Sequence, residues 1–298
     1  MQQGNPVEEW IGVAIALLSS GLGGTAAAIT RYLVTGADPI SLAILRWGIG
    51  FACVLPAALL LKVRWPARSD WPAVAFLGVC FFGLFFILYN LAISFTTAAR
   101  ASLALATLPL STMVMAALLG FETLTWRKTL GVLIAVLGVA AALAAGLSAA
   151  PQGAWRGELI MLAAVLCNAV YTVLSRPLMR RSSALGFLTV GMGAGAAALI
   201  VIGTLTGSIA SLKGFATPQW IAGIYLGVGG GAAAFIFWVL ALERASPTRV
   251  ANTMTANPIA AALLATQLVG EPITPNLVLG LIAVFAGIWV ATSEVRNP

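Results

Sequence analysis

Nearly every charged residue of this chain falls in a gap between long apolar stretches, and the signs are shared unequally between alternate gaps. Of its 298 residues only 8% are charged and 60% are hydrophobic, against roughly 25% charged in a soluble globular domain. A water-soluble fold of this length would leave far more apolar area exposed than its polar residues can cover. The stretches instead match a membrane, since a helix needs about 20 apolar residues to cross about 30 Å of hydrocarbon. Such windows are predicted at 11–29, 40–61, 71–94, 100–119, 129–147, 157–175, 183–206, 220–242, 250–269 and 274–292. A lone strand in lipid would leave its backbone groups unpaired, and runs such as Gly131 to Ala145 lack the alternation of a membrane barrel. The expected fold class is therefore an all-α membrane protein with ten transmembrane helices. Glu8 and Glu9 stand where a cleaved signal peptide would carry basic residues, so the first helix is expected to remain in the mature protein.

Counting Lys and Arg loop by loop sets the orientation. With a cytoplasmic N-terminus, eleven fall inside (Lys62, Arg64, Arg68, Arg127, Lys128, Arg176, Arg180, Arg181, Arg244, Arg249 and Arg296) and four outside (Arg31, Arg100, Arg156 and Lys213). Both termini are thus expected in the cytoplasm. The net charge of +7 is scattered through short inner loops, which suits anionic lipid headgroups and gives no basic face for nucleic acid. Trp10, Trp71, Trp155 and Trp220 start spans and are expected to anchor them in the headgroup layer. Cys53, Cys80 and Cys167 all fall inside spans, and the chain has no histidine. Neither a disulfide framework nor a metal site is expected, and no cofactor is implied.

The two halves resemble each other. An offset of 149 residues pairs Arg100 with Arg249, Pro109 with Pro258, Glu122 with Glu271, Gly131 with Gly280 and Gly138 with Gly287. An offset of 145 pairs Trp10 with Trp155, Gly12 with Gly157 and Arg31 with Arg176. The chain therefore divides into five-helix repeats at 1–150 and 151–298, and an odd number of spans inserts the second repeat upside down. Inverted repeats are a recurring design of secondary transporters, with the substrate near mid-membrane between the halves. On the stretches Ala92 to Pro109 and Ala241 to Pro258, each followed by Glu122 or Glu271, the chain resembles the duplicated EamA-type permeases of the drug/metabolite transporter superfamily. The resemblance implies a multi-pass protein of the bacterial inner membrane, most similar to exporters of amino acids, aromatic ones included. It also implies a cavity lined by helices three, four, eight and nine with contributions from one and six.

Candidate cargo residues are the polar and aromatic side chains placed deep in apolar helices. Pro109 and Pro258, near the centres of helices four and nine, are expected to kink them and free carbonyls for gating or solute. Asn257 combines that depth with the adjoining proline, whereas Asn252 lies nearer the inner boundary. Asn168 and Tyr171 share one face of helix six, and Tyr89 adjoins Asn90 on helix three, the two pointing in different directions. Tyr89, Tyr171 or Trp238 can stack on a flat side chain while an amide holds its polar end, although aromatics at helical spacing also serve packing. Arg46 is the basic residue embedded furthest in a span. It either snorkels to the outer headgroups or faces a solvated cavity and pairs with a carboxylate, the substrate's included. Small-residue pairs, Gly12 with Ala16, Gly21 with Thr25 and Gly227 with Gly231, and the glycines at 191, 193 and 195 are expected at close helix contacts.

Asp and Glu fall near or beyond span boundaries, so the membrane carboxylate or histidine of a proton-coupled antiporter is missing and transport down the substrate gradient is favoured. Gly229–Gly231 lacks the following Lys of a phosphate loop, and the absence of histidine removes His-based hydrolysis, so an enzyme is not expected. The sequence reads as an alternating-access permease exporting small metabolites, neutral or aromatic amino acids first, with a single chain sufficient. The rivals are a carrier of lipophilic drugs or nucleotide sugars, which needs an apolar or a cationic cavity, and a membrane scaffold with a solidly packed centre.

Overall fold

The computed structural model describes residues 6–121, 125–145, 150–242, 244, 245, 250 and 253–292. Among them the regular structure is all helical, in ten principal elements with short 3₁₀ helices at Ser208–Gly214 and Thr253–Thr255 between them. The ten are α1 (Pro6–Leu33), α2 (Pro39–Leu60), α3 (Arg68–Phe95), α4 (Ala98–Leu118), α5 (Trp126–Ala145), α6 (Ala154–Met179), α7 (Ala184–Leu205), α8 (Thr217–Leu242), α9 (Ala256–Val269) and α10 (Pro275–Thr292). The first eight are long and apolar enough to cross a membrane; α9 and the apolar part of α10, Pro275–Val290, are shorter. The chain is thus a multi-pass membrane protein, and eight rather than ten of its expected spans meet the length test outright. The span expected at 250–269 is reduced because a 3₁₀ turn, Thr253–Thr255, precedes α9. Pro258 sits in the first turn of α9, where its missing N–H would have no intrahelical partner anyway.

Local chemistry sets the element boundaries. The Asp38 carboxylate accepts from Ile40 N at 2.8 Å, with Pro39 opening α2. Thr97 accepts from Arg100 N at the start of α4, and Ser183 from Gly186 N at the start of α7. Gly120 stops α4 in the left-handed region at φ 76°, which costs glycine little.

Helix pairing follows the repeat. α1 packs on α9 as α6 packs on α4, α2 on α8 as α7 on α3, and α1 on α8 as α6 on α3, while α2 meets α7 and α5 meets α10. Each pair has its counterpart when the halves are exchanged. A second correspondence lies in the backbone. α3 contains a π-helical segment, Val79–Phe85, and α8 contains one at Val228–Ala233, starting at the same 149-residue offset that relates the prolines. Short π segments inside α-helices widen the turn and are frequent at functional sites.

Lipid supplies no hydrophobic push between helices, so close packing of small residues has to hold these pairs. A Cβ on Gly78 of α3 would lie 2.5 Å from Gly191 Cα on α7, and one on Gly280 of α10 would lie 2.8 Å from Ala142 Cβ on α5. Gly12 abuts Ala245, as expected of an interface glycine. Gly21 does not: among the described residues nothing lies within 4 Å of a Cβ built there, and Thr25 instead meets the Tyr225 hydroxyl at 2.6 Å. The four start-of-span tryptophans are all exposed, as interface anchors require.

Hydrogen bonds define two ends of the bundle. At one, Ser41 reaches Ser208 O, and Arg31 reaches Ile93 and Ser94 carbonyls. At the other, Ser183 N donates to Arg64 O and Arg181 pairs with Asp70 at 3.3 Å. Gly78→Val is expected to destabilise the purified protein by about 2 kcal/mol or more through overpacking against α7. Gly21→Ala should leave stability unchanged or raise it by up to about 1 kcal/mol; thermal unfolding in detergent separates the two, and equal effects would contradict the assignment of the α3–α7 contact.

Candidate functional site

A cavity of about 530 Å³ lies among α1, α2, α3, α4, α6, α7, α8 and α9, within the size range of small-molecule sites. Six of the residues singled out from the sequence line it: Arg46, Tyr89, Asn168, Tyr171, Trp238 and Asn257. Its lining continues to Met179 and to the exposed Arg176 and Arg180 at the close of α6, and to Leu242 at the close of α8, so it extends to the Arg64–Ser183 end.

Arg46 does not snorkel. Its residue is 5% exposed, and Nη2 donates to the carbonyl of Gly230, inside the π segment of α8, at 2.9 Å. The guanidinium carbon lies 4.7 Å from the Phe86 ring centroid and 5.1 Å from that of Trp47, distances at which a cation is held by the ring faces. The Tyr89 side chain is close enough to interact with it electrostatically. Among the described residues Nε and Nη1 have no hydrogen-bond partner, and the described lining of the cavity contains no Asp or Glu. A buried cation in this position is costly unless a counter-charge arrives.

The rings beside Arg46 continue into an aromatic cluster. Tyr171 of α6 stacks on Phe81 of α3 with ring centroids 4.3 Å apart and planes 10° from parallel. Phe81 in turn stacks on Phe85, and Trp47 packs edge-on against Phe82, Phe86 and Phe235. Because Phe81, Phe82 and Phe85 all belong to the α3 π segment, its widened turn decides which rings reach the cavity. Phe81, Phe85, Phe235 and Gly230 were not singled out from the sequence. The run Gly229–Gly231 was noticed there only as a failed phosphate loop, and the equal offset of two glycine- or phenylalanine-rich segments was the available signal.

The amides behave differently from one another. Asn257 lines the cavity with Oδ1 lacking a donor, and its Nδ2 lies so near Gly23 that a Cβ there would sit 2.8 Å away. Asn168 Oδ1 accepts from Thr172 Oγ1 at 3.2 Å. Asn90 is outside the cavity lining: its Nδ2 donates to Pro39 O at 2.9 Å and ties α3 to the start of α2. Neighbours on a helix point about 100° apart, so Tyr89 faces the cavity while Asn90 faces away. Asn252 lies outside the described residues, as do Arg249, Glu122 and Glu243. Pro109 and Pro258 line a smaller side pocket of about 20 Å³ together with Asn257. Each stands just after the start of a new helical segment rather than within a continuous helix. Pro109 has no N–H to offer the Leu105 carbonyl four residues earlier, and Leu105 lines both spaces.

The far end is closed by two ion pairs. Arg31 Nε meets Glu271 Oε1 at 2.9 Å, and Glu271 Oε2 accepts from Ala98 N at 2.9 Å, capping α4 from the other half. Arg100 Nε donates to Glu158 at 2.7 Å and Arg100 Nη2 to Leu143 O at 2.6 Å. Glu271, which the sequence places near a span boundary, is buried and engaged. Glu158 and Arg100 likewise join α6 to α4.

The EamA-like transporter family matches residues 10–144 and, again, 155–293. A transporter of unassigned cargo from Archaeoglobus fulgidus is 25% identical over 292 residues, covering 97% of this chain and all of its own. A Streptantibioticus cattleyicolor protein described as a probable terminal-alkyne amino-acid exporter is 28% identical over 264 residues, covering 87% of this chain and 86% of its own. A crystal structure of a protein 23% identical superposes with a TM-score of 0.64, covering 97% of both chains, which supports the fold.

Breaking the Arg31–Glu271 pair strands a mostly buried guanidinium and the Ala98 N–H. Glu271→Gln is expected to lower stability by about 2 kcal/mol. Combined with Arg31→Gln it should cost clearly less than the two single losses added together, in thermal unfolding of the purified protein. Additive losses would contradict the pairing.

Proposed function

Since the chain belongs to the EamA-like transporter family and is thereby a small-molecule transporter, we propose that it exports neutral or aromatic amino acids by alternating access through the central cavity. In this reading the ten helices are ten spans, arranged as inverted five-helix repeats over 1–150 and 151–298 and set in a bacterial inner membrane with both termini cytoplasmic. The long apolar helices place it against lipid, and one chain is a complete unit.

The observation that carries the proposal is the cavity. It is built from both halves, is of a size for a small solute, and joins a deep cation to an aromatic wall. With the N-terminus inside, the basic loops containing Lys62 to Arg68 and Arg176 to Arg181 are cytoplasmic, so the cavity extends to the side from which an exporter loads. The ion-paired end then faces outward as the closed gate. Exchange of the two repeats' conformations would open that end and close the other. Arg46, Asn168 and Asn257 would hold the polar part of the solute, with Tyr89, Tyr171 and Trp238 against its side chain. Pro109 and Pro258 would let α4 and α9 bend as the gates exchange, and Asn90 and Asn252 keep supporting places at the edges. The amino-acid exporter among the relatives supports the cargo class, and an open centre disfavours the scaffold alternative.

The carboxylates that are described near the cavity's closed end are held by arginines, so no proton coupling is built into the proposal. Liposomes containing the purified protein and preloaded with unlabelled phenylalanine are expected to accumulate labelled phenylalanine by counterflow well above empty liposomes, to the same extent with and without an imposed pH gradient. A broad amino-acid panel giving no counterflow in either direction would overturn the cargo, and a pH-gradient effect surviving leak controls would overturn the uncoupled mode.

A further inference from the structure

We infer that the cavity reads its solute through the carboxylate and not through the α-ammonium, so that its substrate class extends to aromatic monocarboxylates lacking an amino group. This rests on the small-molecule transport reading above and specifies which charge the same site requires.

Arg46 supplies the first observation. It is almost wholly buried and lines the cavity; Nη2 is spent on the Gly230 carbonyl, while Nε and Nη1 are themselves buried and have no hydrogen-bond partner among the described residues, so a turn of the guanidinium brings them to a solute. A guanidinium presents its N–H groups as a planar fork that fits a carboxylate with two parallel bonds. Its present neighbours, the ring faces of Phe86 and Trp47, hold the cation without satisfying those N–H groups.

The charge balance of the lining is the second. Arg46 and Arg180 face the cavity and its mouth, and among the described lining residues there is no Asp or Glu. An ammonium would have to be met by neutral acceptors, of which Asn257 Oδ1 is one left without a donor. A neutral acceptor satisfies an N–H but does not cancel a charge, and at low dielectric the uncancelled charge dominates. A monocarboxylate neutralises Arg46, a zwitterion neutralises it while carrying an ammonium of its own, and an amine adds a second positive charge. The expected order is therefore acid comparable to amino acid, with amine far behind. The stacked Phe81–Tyr171 pair makes a flat aromatic body the fitting remainder.

Three probes that differ only in these groups test the inference: phenylalanine, 3-phenylpropionate and phenethylamine. Each is titrated against the purified full-length protein in detergent, with binding read as an upward shift of the unfolding temperature. 3-Phenylpropionate is expected to bind within about threefold of phenylalanine, and phenethylamine at least about tenfold more weakly than either. Arg46→Gln should abolish the difference among the three, and Arg46→Lys, which keeps the charge, should preserve the order. Phenethylamine binding as well as phenylalanine while 3-phenylpropionate fails would overturn this inference and leave the permease reading standing. Binding by none of the three would overturn the aromatic amino-acid reading and this inference with it. Because the order among probes is read on the unsubstituted protein, the outcome does not depend on any variant folding.

Discussion

A guanidinium buried between two halves of a membrane bundle, with no carboxylate beside it among the described residues, is the constraint around which the rest is arranged. Arg46 spends one N–H group on Gly230 and lies against Trp47 and Phe86. The first contact joins α2 to the π segment of α8, and the contact with Phe86 joins α2 to the turn of α3 that follows its π segment. A cation in hydrocarbon is tolerated only where protein dipoles, rings or water surround it. Its position therefore requires the cavity, and the cavity in turn gives it a place for an anion.

The repeat explains how such a space stays open in a bundle that otherwise packs tightly. Glycines bring α3 to α7 and α5 to α10 at near-backbone contact. In the middle, two π segments at equivalent positions widen the turns of α3 and α8, and α4 and α9 each restart just before a proline. Both devices reduce the regularity of the helices where they meet the cavity. The far end is closed by charge: Glu271 holds Arg31 and caps α4 in the same stroke, so one carboxylate from the second half secures two elements of the first.

Much of this was legible in the sequence because polar residues deep in apolar helices are few. Arg46, Asn168 and Asn257 stood out for that reason, and Tyr89, Tyr171 and Trp238 accompany them in the cavity wall. Asn90, whose side chain points in a different direction from that of its neighbour Tyr89, bonds Pro39 O outside the cavity lining. The π segments leave no mark in hydrophobic period, so nothing in that period distinguishes Phe81, Phe85 or Gly230 from their neighbours. The Arg31–Glu271 pair spans 240 positions, and periodicity carries no information about a contact so distant. The repeated Arg and Glu hinted only that such residues mattered. The shortened α9 follows from Pro258, whose natural place is a first turn and not the helix centre assigned to it.

The central claim is that the cavity is a solute route that opens at the Arg176–Arg180 end. Val239 lines it, is half-buried, and is charged with no part of recognition. With Cys53, Cys80 and Cys167 replaced by alanine, Val239→Cys can be exposed to a membrane-impermeant thiol reagent from either side of oriented vesicles. The account predicts labelling from the cytoplasmic side, slowed by phenylalanine. Labelling that is confined to the other side, or that proceeds at one rate whether or not phenylalanine is present, would contradict it.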